Sequence, residues 1–193
     1  MSMNMSRKTL VWDLPVRIFH WSLAGCFAIA YALSESERWR NVHVWLGYAV
    51  LGLLAFRLLW GFVGTRHARF SSFRYGPLDA VRYFKEALAG RPRHYTGHNP
   101  AGSWAVYAIL LLGLATGVTG YLNFNEIGGE GLKDVLEEAH GALASLWLGV
   151  VVLHVSGVAF SSLVHRENLV RAMVTGFKRG DGAAAVSESV RSP

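Results

Sequence analysis

Four apolar stretches, at 14–33, 42–63, 103–122 and 141–164, constrain this chain more than any other feature. Each runs to about 20 residues or more, the length of helix that crosses a hydrocarbon layer of about 30 Å. Within such a layer every backbone N–H and C=O must find its partner inside the segment, so the stretches have to be helices. They take up so much of the 193 residues that no second, soluble domain fits. The expected fold is all-α, an integral membrane four-helix bundle over residues 1–180. The small, polar tail at 181–193 is read as disordered.

Lys and Arg set the orientation. Fifteen fall on one side of the bundle: Arg7, Lys8 and Arg17 at the first span; Arg66, Arg69, Arg74, Arg82, Lys85, Arg91 and Arg93 between the second and third; Arg166, Arg171, Lys178, Arg179 and Arg191 after the fourth. The other side holds Arg38, Arg40 and Lys133, beside Glu126, Glu130, Asp134, Glu137 and Glu138. Basic connections stay in the cytoplasm, so both termini are expected there. The net charge of +6 is then a record of topology rather than a nucleic-acid footprint. Arg7 and Lys8 ahead of an apolar run, with Ala30-Tyr31-Ala32 near its end, also resemble a cleaved signal peptide. The length of the run, Arg17 and His20 within it, and the even number of spans favour its retention. Trp12, Trp60 and Trp104 are expected among headgroups at the inner face, Trp39 and Trp45 at the outer.

The connections differ in character. Pro77 suits a helix start and Gly90 a helix end, and Leu78, Val81, Phe84 and Leu88 follow helical spacing between them. This segment reads as an amphipathic helix on the cytoplasmic bilayer surface, or else as a soluble surface helix. His94 and His98 lie in a polar, turn-rich stretch, and His67 and His165 lie at span ends beside basic residues; all four are read as solvated. The outer connection at 123–139 is read as a Gly-rich acidic loop. Its acids either dock a basic partner or simply mark the side from which basic residues are excluded. Cys26, the only cysteine, is read as a small core residue; no C-x-x-C-H attachment motif exists, so any haem is held non-covalently.

Four histidines fall within or at the mouths of the spans: His20, His43, His140 and His154. His140 and His154 are fourteen residues apart. That interval leaves them about 40° apart around the helix and about 21 Å apart along it. With the N-terminus inside, His20 and His154 share the inner level, His43 and His140 the outer. Two imidazoles per level are too few for zinc, which takes about four ligands. A porphyrin supplies its own four nitrogens and tolerates the bilayer interior. The expectation is two b-type haems, with His20 and His154 on the inner iron and His43 and His140 on the outer. Arg17 stands one turn before His20. Arg57, fourteen residues after His43, projects from nearly the same face at the inner level. It either meets a haem propionate or snorkels to the cytoplasmic surface. Gly25, Gly47, Gly141 and Gly157 adjoin the ligands, and Gly113, Gly117 and Gly120 line the third span, whose glycines read mainly as helix packing. An iron with both axial positions filled by histidine is suited to one-electron transfer, and two at different depths relay electrons across the membrane.

The segments Val11-Trp12-Asp13-Leu14-Pro15-Val16-Arg17-Ile18-Phe19-His20-Trp21, His43-Val44-Trp45-Leu46-Gly47, Phe56-Arg57-Leu58-Leu59-Trp60-Gly61, Gly97-His98-Asn99-Pro100-Ala101-Gly102 and Ala139-His140-Gly141 resemble the prokaryotic cytochrome b561 family. That family includes the b-type cytochrome subunits of nickel-iron hydrogenases. The resemblance runs from about Val11 to Gly180. It implies a dihaem cytochrome of the bacterial inner membrane whose ligands map onto the same four histidines. It also implies electron exchange with the quinone pool and with a periplasmic redox partner, a hydrogenase or a soluble cytochrome c. Two rivals stand beside this expectation: a stand-alone haem oxidoreductase passing electrons between quinone and a small substrate such as superoxide, and a haem-free transporter or assembly factor.

Overall fold

Asp13 opens the first long helix and ties three parts of the chain together. Its Oδ1 accepts from the backbone N–H of Val16 at 2.8 Å, the N-cap bond of the helix Leu14–Ala32, here α1. Its Oδ2 accepts from Trp60 Nε1 at 3.0 Å and from Thr65 Oγ1 at 2.6 Å. The end of the second span is thereby fastened to the start of the first. The structure, a computed structural model, describes residues 8–90, 93 and 95–179. The tail at 181–193 and His94 lie outside the described residues.

The remaining helices are α2 (Arg40–Val63), α3 (Pro77–Leu88), α4 (Pro100–Phe124), α5 (Glu130–Val164) and α6 (Leu169–Thr175). Short 3₁₀ turns at Glu37–Trp39 and Phe70–Phe73 lead into α2 and precede α3. α1, α2 with its leading turn, α4 and α5 are each long and apolar enough to cross a membrane. Leu59, Leu153 and Leu163 are 69%, 72% and 78% exposed. Water would not tolerate so much uncovered leucine, whereas lipid does. The chain is a multi-pass, largely helical membrane protein.

Packing is sequential: α1 lies along α2, α2 along α4, and α4 along α5 and α3. Neither α1 nor α2 packs extensively against α5. The bundle core is nevertheless shared by all four spans, through Phe19, Leu23, Phe27, Val50, Leu54, Leu110 and Trp147.

Three local outcomes differ from expectation. The outer connection is only five residues long, because α4 continues to Phe124 and α5 starts at Glu130. The run Glu130–Ala139 holds three Glu and two Leu, with Lys133 and Ala139, all of which favour helix, and an acid in the first turn suits the helix dipole. The reversal is confined to Glu126, Gly128 and Gly129, all at positive φ. The acids therefore lie on an exposed helical extension and the tight turn before it, not on a long loop. Second, Lys8–Leu10 (β1) pairs antiparallel with Phe177–Arg179 (β2), a small sheet in an otherwise helical chain. Val11 and Trp12 both donate to the carbonyl of Gly176, which caps α6 at φ 88°. Both ends of the described chain thus meet at one end of the bundle, as an even number of spans requires. We call this the terminal end. Third, Trp12 is 8% exposed, in a second core with Val11, Val16, Ala68 and Ala172. The strand pairing draws it inward, so that protein rather than solvent or lipid covers most of the ring.

Replacing Asp13 removes a helix cap and two side-chain bonds together. Asp13→Ala should lower stability by about 2–3 kcal/mol, less than the sum of separate effects because the bonds share one carboxylate. Thermal unfolding in detergent, compared with the conservative Asp13→Asn, measures it.

Candidate functional site

At the far end of the bundle His43, in the first turn of α2, faces His140, ten residues into α5. Their ring centroids are 6.1 Å apart and their planes nearly perpendicular, at 80°. His43 Nδ1 lies 2.9 Å from the carbonyl of Ala30, near the end of α1. His140 Nδ1 lies 2.9 Å from the carbonyl of Thr116 in α4. A carbonyl only accepts, so each Nδ1 carries the proton and each Nε2 keeps its lone pair free. This is how a metal-binding histidine is usually held: the second nitrogen is anchored to a backbone carbonyl, fixing tautomer and orientation. Two imidazoles sharing one metal through bonds of about 2 Å have ring centres about 6 Å apart.

Gly120 makes room for this arrangement. A Cβ there would lie 2.8 Å from His140 Cε1 and 3.0 Å from Nδ1. The other small residues of α4 act likewise: a Cβ at Gly113 would meet the Trp147 ring at 2.7 Å, and one at Gly117 would meet Leu51 at 2.5 Å. The α4 glycines thus admit side chains from both neighbouring helices, one of them a site histidine. Gly25, Gly47, Gly141 and Gly157, beside the histidines on the other helices, face open space.

At the terminal end His20 and His154 are both partly buried and lie within coulombic reach of each other. His20 Nδ1 is buried without a hydrogen-bond partner. Arg57 is 3% exposed, its guanidinium 4.8 Å over the Phe70 ring and its Nη1 unpartnered. It does not snorkel to the surface, since Phe70 covers it; Gly61 gives that ring its place, where a Cβ would overlap it. Arg17 turns toward α6, Nη2 donating to the carbonyl of Val174, while its Nε is buried and unpartnered. Among the described residues no three His, Cys, Asp or Glu side chains converge as a metal cluster. Each level offers a pair.

His98 is not the solvated loop residue expected. It sits between Trp12, 4.7 Å away by ring centroids, and Phe73, 4.4 Å away, with Nδ1 closed off and unpartnered. Burial, then Arg57, His154, Lys178 and His67, pushes its pKa down to about 3, so the ring is neutral at physiological pH. The cause is the N-cap of α4: Asn99 Oδ1 takes the Gly102 N–H at 2.7 Å, and Asn99 Nδ2 donates to Tyr83 Oη at 3.1 Å. These bonds fold the stretch before α4 onto the bundle. The Gly97–Gly102 motif carried that signal; its polar composition hid it. Beside His98 a cavity of about 280 Å³ is lined by Arg66, His67, Ser72, Tyr75, Tyr95, Thr96 and Gly97. His67 and His165 are partly buried rather than fully solvated. Cys26 packs beside the bundle core, as expected.

The family model described as prokaryotic cytochrome b561 matches residues 11–176, from Val11 in the terminal-end core to Gly176 at the cap of α6. The chain belongs to the prokaryotic cytochrome b561 family. Membership makes it a membrane b-type cytochrome, an electron-transport protein, and sets aside the haem-free reading. The chain is similar to a probable Ni/Fe-hydrogenase B-type cytochrome subunit of Bradyrhizobium diazoefficiens, 24% identical over 86% of this chain and 84% of the relative. It is similar to proteins of the same description from Rhodobacter capsulatus, 23% identical over 92% and 84%, and Rhizobium leguminosarum, 25% identical over 86% and 87%. No solved structure matches the chain.

Two outcomes follow from this geometry. Gly120→Ala should lower bound haem, measured as pyridine haemochrome, because the imidazole of His140 must move. Gly52→Ala, which faces open space, should leave it unchanged. The stability of His98→Asn relative to the parent should improve as pH falls from about 6.5, by up to about 1.4 kcal/mol per pH unit. The sign follows because the parent's folded His98 refuses a proton that its unfolded state takes; unfolding titrations at two pH values read the difference.

Proposed function

We propose that this cytochrome holds two b-type haems, one per histidine pair, and relays single electrons between the quinone pool and a redox partner outside the cytoplasm. The observation that carries the reading is the far-end pair: two imidazoles 6.1 Å apart by centroid, each with Nδ1 tied to a carbonyl. His43 and His140 would hold the outer iron, His20 and His154 the inner. The unpartnered Nη1 of Arg57 and Nε of Arg17 suit propionates of the inner group, which need cationic donors in a dry setting. A haem held by such a histidine pair would supply reversible one-electron iron chemistry.

The chain's own contribution is orientation and exclusion of water. The carbonyls of Ala30 and Thr116 fix the outer rings. Phe70 shuts the inner level from the surface around Arg57. The quinone ring would enter the cavity lined by His67, Tyr75, Tyr95 and His98, at the same end as His154. The basic residues at the terminal end favour the cytoplasm for both termini, in the bacterial inner membrane. There α3 would lie on the bilayer surface, with Leu78, Val81, Phe84 and Leu88 exposed on it and Tyr83 and Ala87 buried toward the bundle. The exposed acids of the α5 extension suit a basic face on the outer partner, a hydrogenase or soluble cytochrome c.

Purified protein should carry about two haems per chain, since each of the two histidine pairs would hold one iron. His140→Ala should lose one haem and keep the other, and His20→Ala should do the converse. Retention of full haem in both single variants and in the fourfold histidine variant would remove the assignment.

A further inference from the structure

Trp147 stands seven residues after His140 and seven before His154. Seven residues turn a helix by about 700° and advance it about 10.5 Å, so the three side chains leave α5 on nearly one face with the indole at mid-height. The same interval recurs on the facing helices. Phe27 follows His20 by seven on α1, and Val50 lies midway between His43 and Arg57 on α2. These residues form the buried layer between the histidine levels. Phe27 and Trp147 meet with centroids 4.4 Å apart and planes at 58°, linking two helices that otherwise pack little. The indole is 4% exposed and fits only because α4 carries glycine at 113. Its Nε1 is buried without a partner. Leucine or phenylalanine would fill the layer without stranding an N–H, so packing alone does not account for tryptophan here.

We infer that Trp147, with Phe27 against it, is the electronic bridge between the two levels, an inference that rests on the two-haem reading above. An indole π system presents a lower barrier to a tunnelling electron than a saturated side chain. One electron passes from one histidine level to the other; no bond forms or breaks, no proton moves, and Trp147 ends as it began. The electron comes from the one-electron donor outside and goes to quinone inside, or the reverse.

The test uses full-length, haem-loaded protein with Trp147→Leu, Trp147→Phe and Phe27→Leu. Redox titration reads haem number and both midpoint potentials. A ruthenium tris-bipyridine cation, drawn to the acidic far end, injects one electron on a light flash, and redistribution between the centres is followed in the α band. Both haems and both potentials should persist. Transfer should slow by an order of magnitude in Trp147→Leu and severalfold in the other two. Unchanged transfer in a haem-replete Trp147→Leu overturns the proposal. If that variant alone loses haem, the other two decide: slowing in Phe27→Leu supports the bridge, and parental rates in both overturn it. Loss of haem in all three also overturns it, making the layer a cofactor-positioning device. A parent protein without two haems sinks the two-haem reading instead, and titration reveals that before any variant is made.

Discussion

Two backbone carbonyls that accept from imidazole anchor everything else at the far end. An α-helix normally spends its carbonyls on its own N–H groups; those of the last turn are left over. Ala30 is two residues from the end of α1, where its carbonyl takes a 3.3 Å bond from the Leu33 N–H and also accepts from His43 at 2.9 Å. Thr116 is mid-helix, and its carbonyl also accepts from Thr119 Oγ1 at 3.0 Å. That carbonyl is thus shared between the helix's own N–H, the Thr119 hydroxyl and His140 Nδ1, which approaches to 2.9 Å. Each bond chooses the tautomer for its ring. With both choices made, two imidazoles stand 6.1 Å apart by centroid on α2 and α5, which scarcely touch. The separation of the helices and the meeting of the rings are one arrangement seen twice.

The terminal end is built on the opposite principle. His20 Nδ1, Arg57 Nη1, Arg17 Nε and His98 Nδ1 are all buried and unpartnered within the described chain. Each such atom is costly, and a native protein has few of them. Thr116 Oγ1 and Asn123 Oδ1 on α4 and Trp147 Nε1 are also unpartnered, but four of the seven such atoms among the described residues gather at the terminal end. They are donors or tautomeric nitrogens in a setting that suits an anionic, flat guest with propionate arms. On this reading the far end is preorganised by the protein, whereas the terminal end is completed by what it binds.

Much of this was legible because membrane helices leave few choices. Four apolar runs fix the span count, and a fourteen-residue interval on a helix fixes a shared face. What stayed hidden depends on contacts that no period announces. Three-residue strands at 8–10 and 177–179 have no pattern of their own; they exist because an even span count brings the ends together. His98 looked solvated because its neighbours are Gly, Asn and Pro. Those same residues form the cap that turns the segment inward. The acidic connection looked like a loop because Gly128 and Gly129 dominated its composition, although they occupy only the reversal.

The seven-residue interval gives the bundle a layered logic. A residue seven positions along returns to nearly the same face about two turns away, so a helix that places a ligand at one level is committed to what stands at the next. On α5 the sequence His140, Trp147, His154 spends that commitment on an indole, and on α1 the step from His20 yields Phe27. Both rings land in one layer, and α4 yields Gly113 to accommodate them. A cytochrome needing only two independent sites could fill the middle with leucine, as lipid-facing positions do throughout this chain. Aromatic rings in contact at mid-height, with an indole N–H left unpaired to keep them there, favour a middle layer selected for what passes through it.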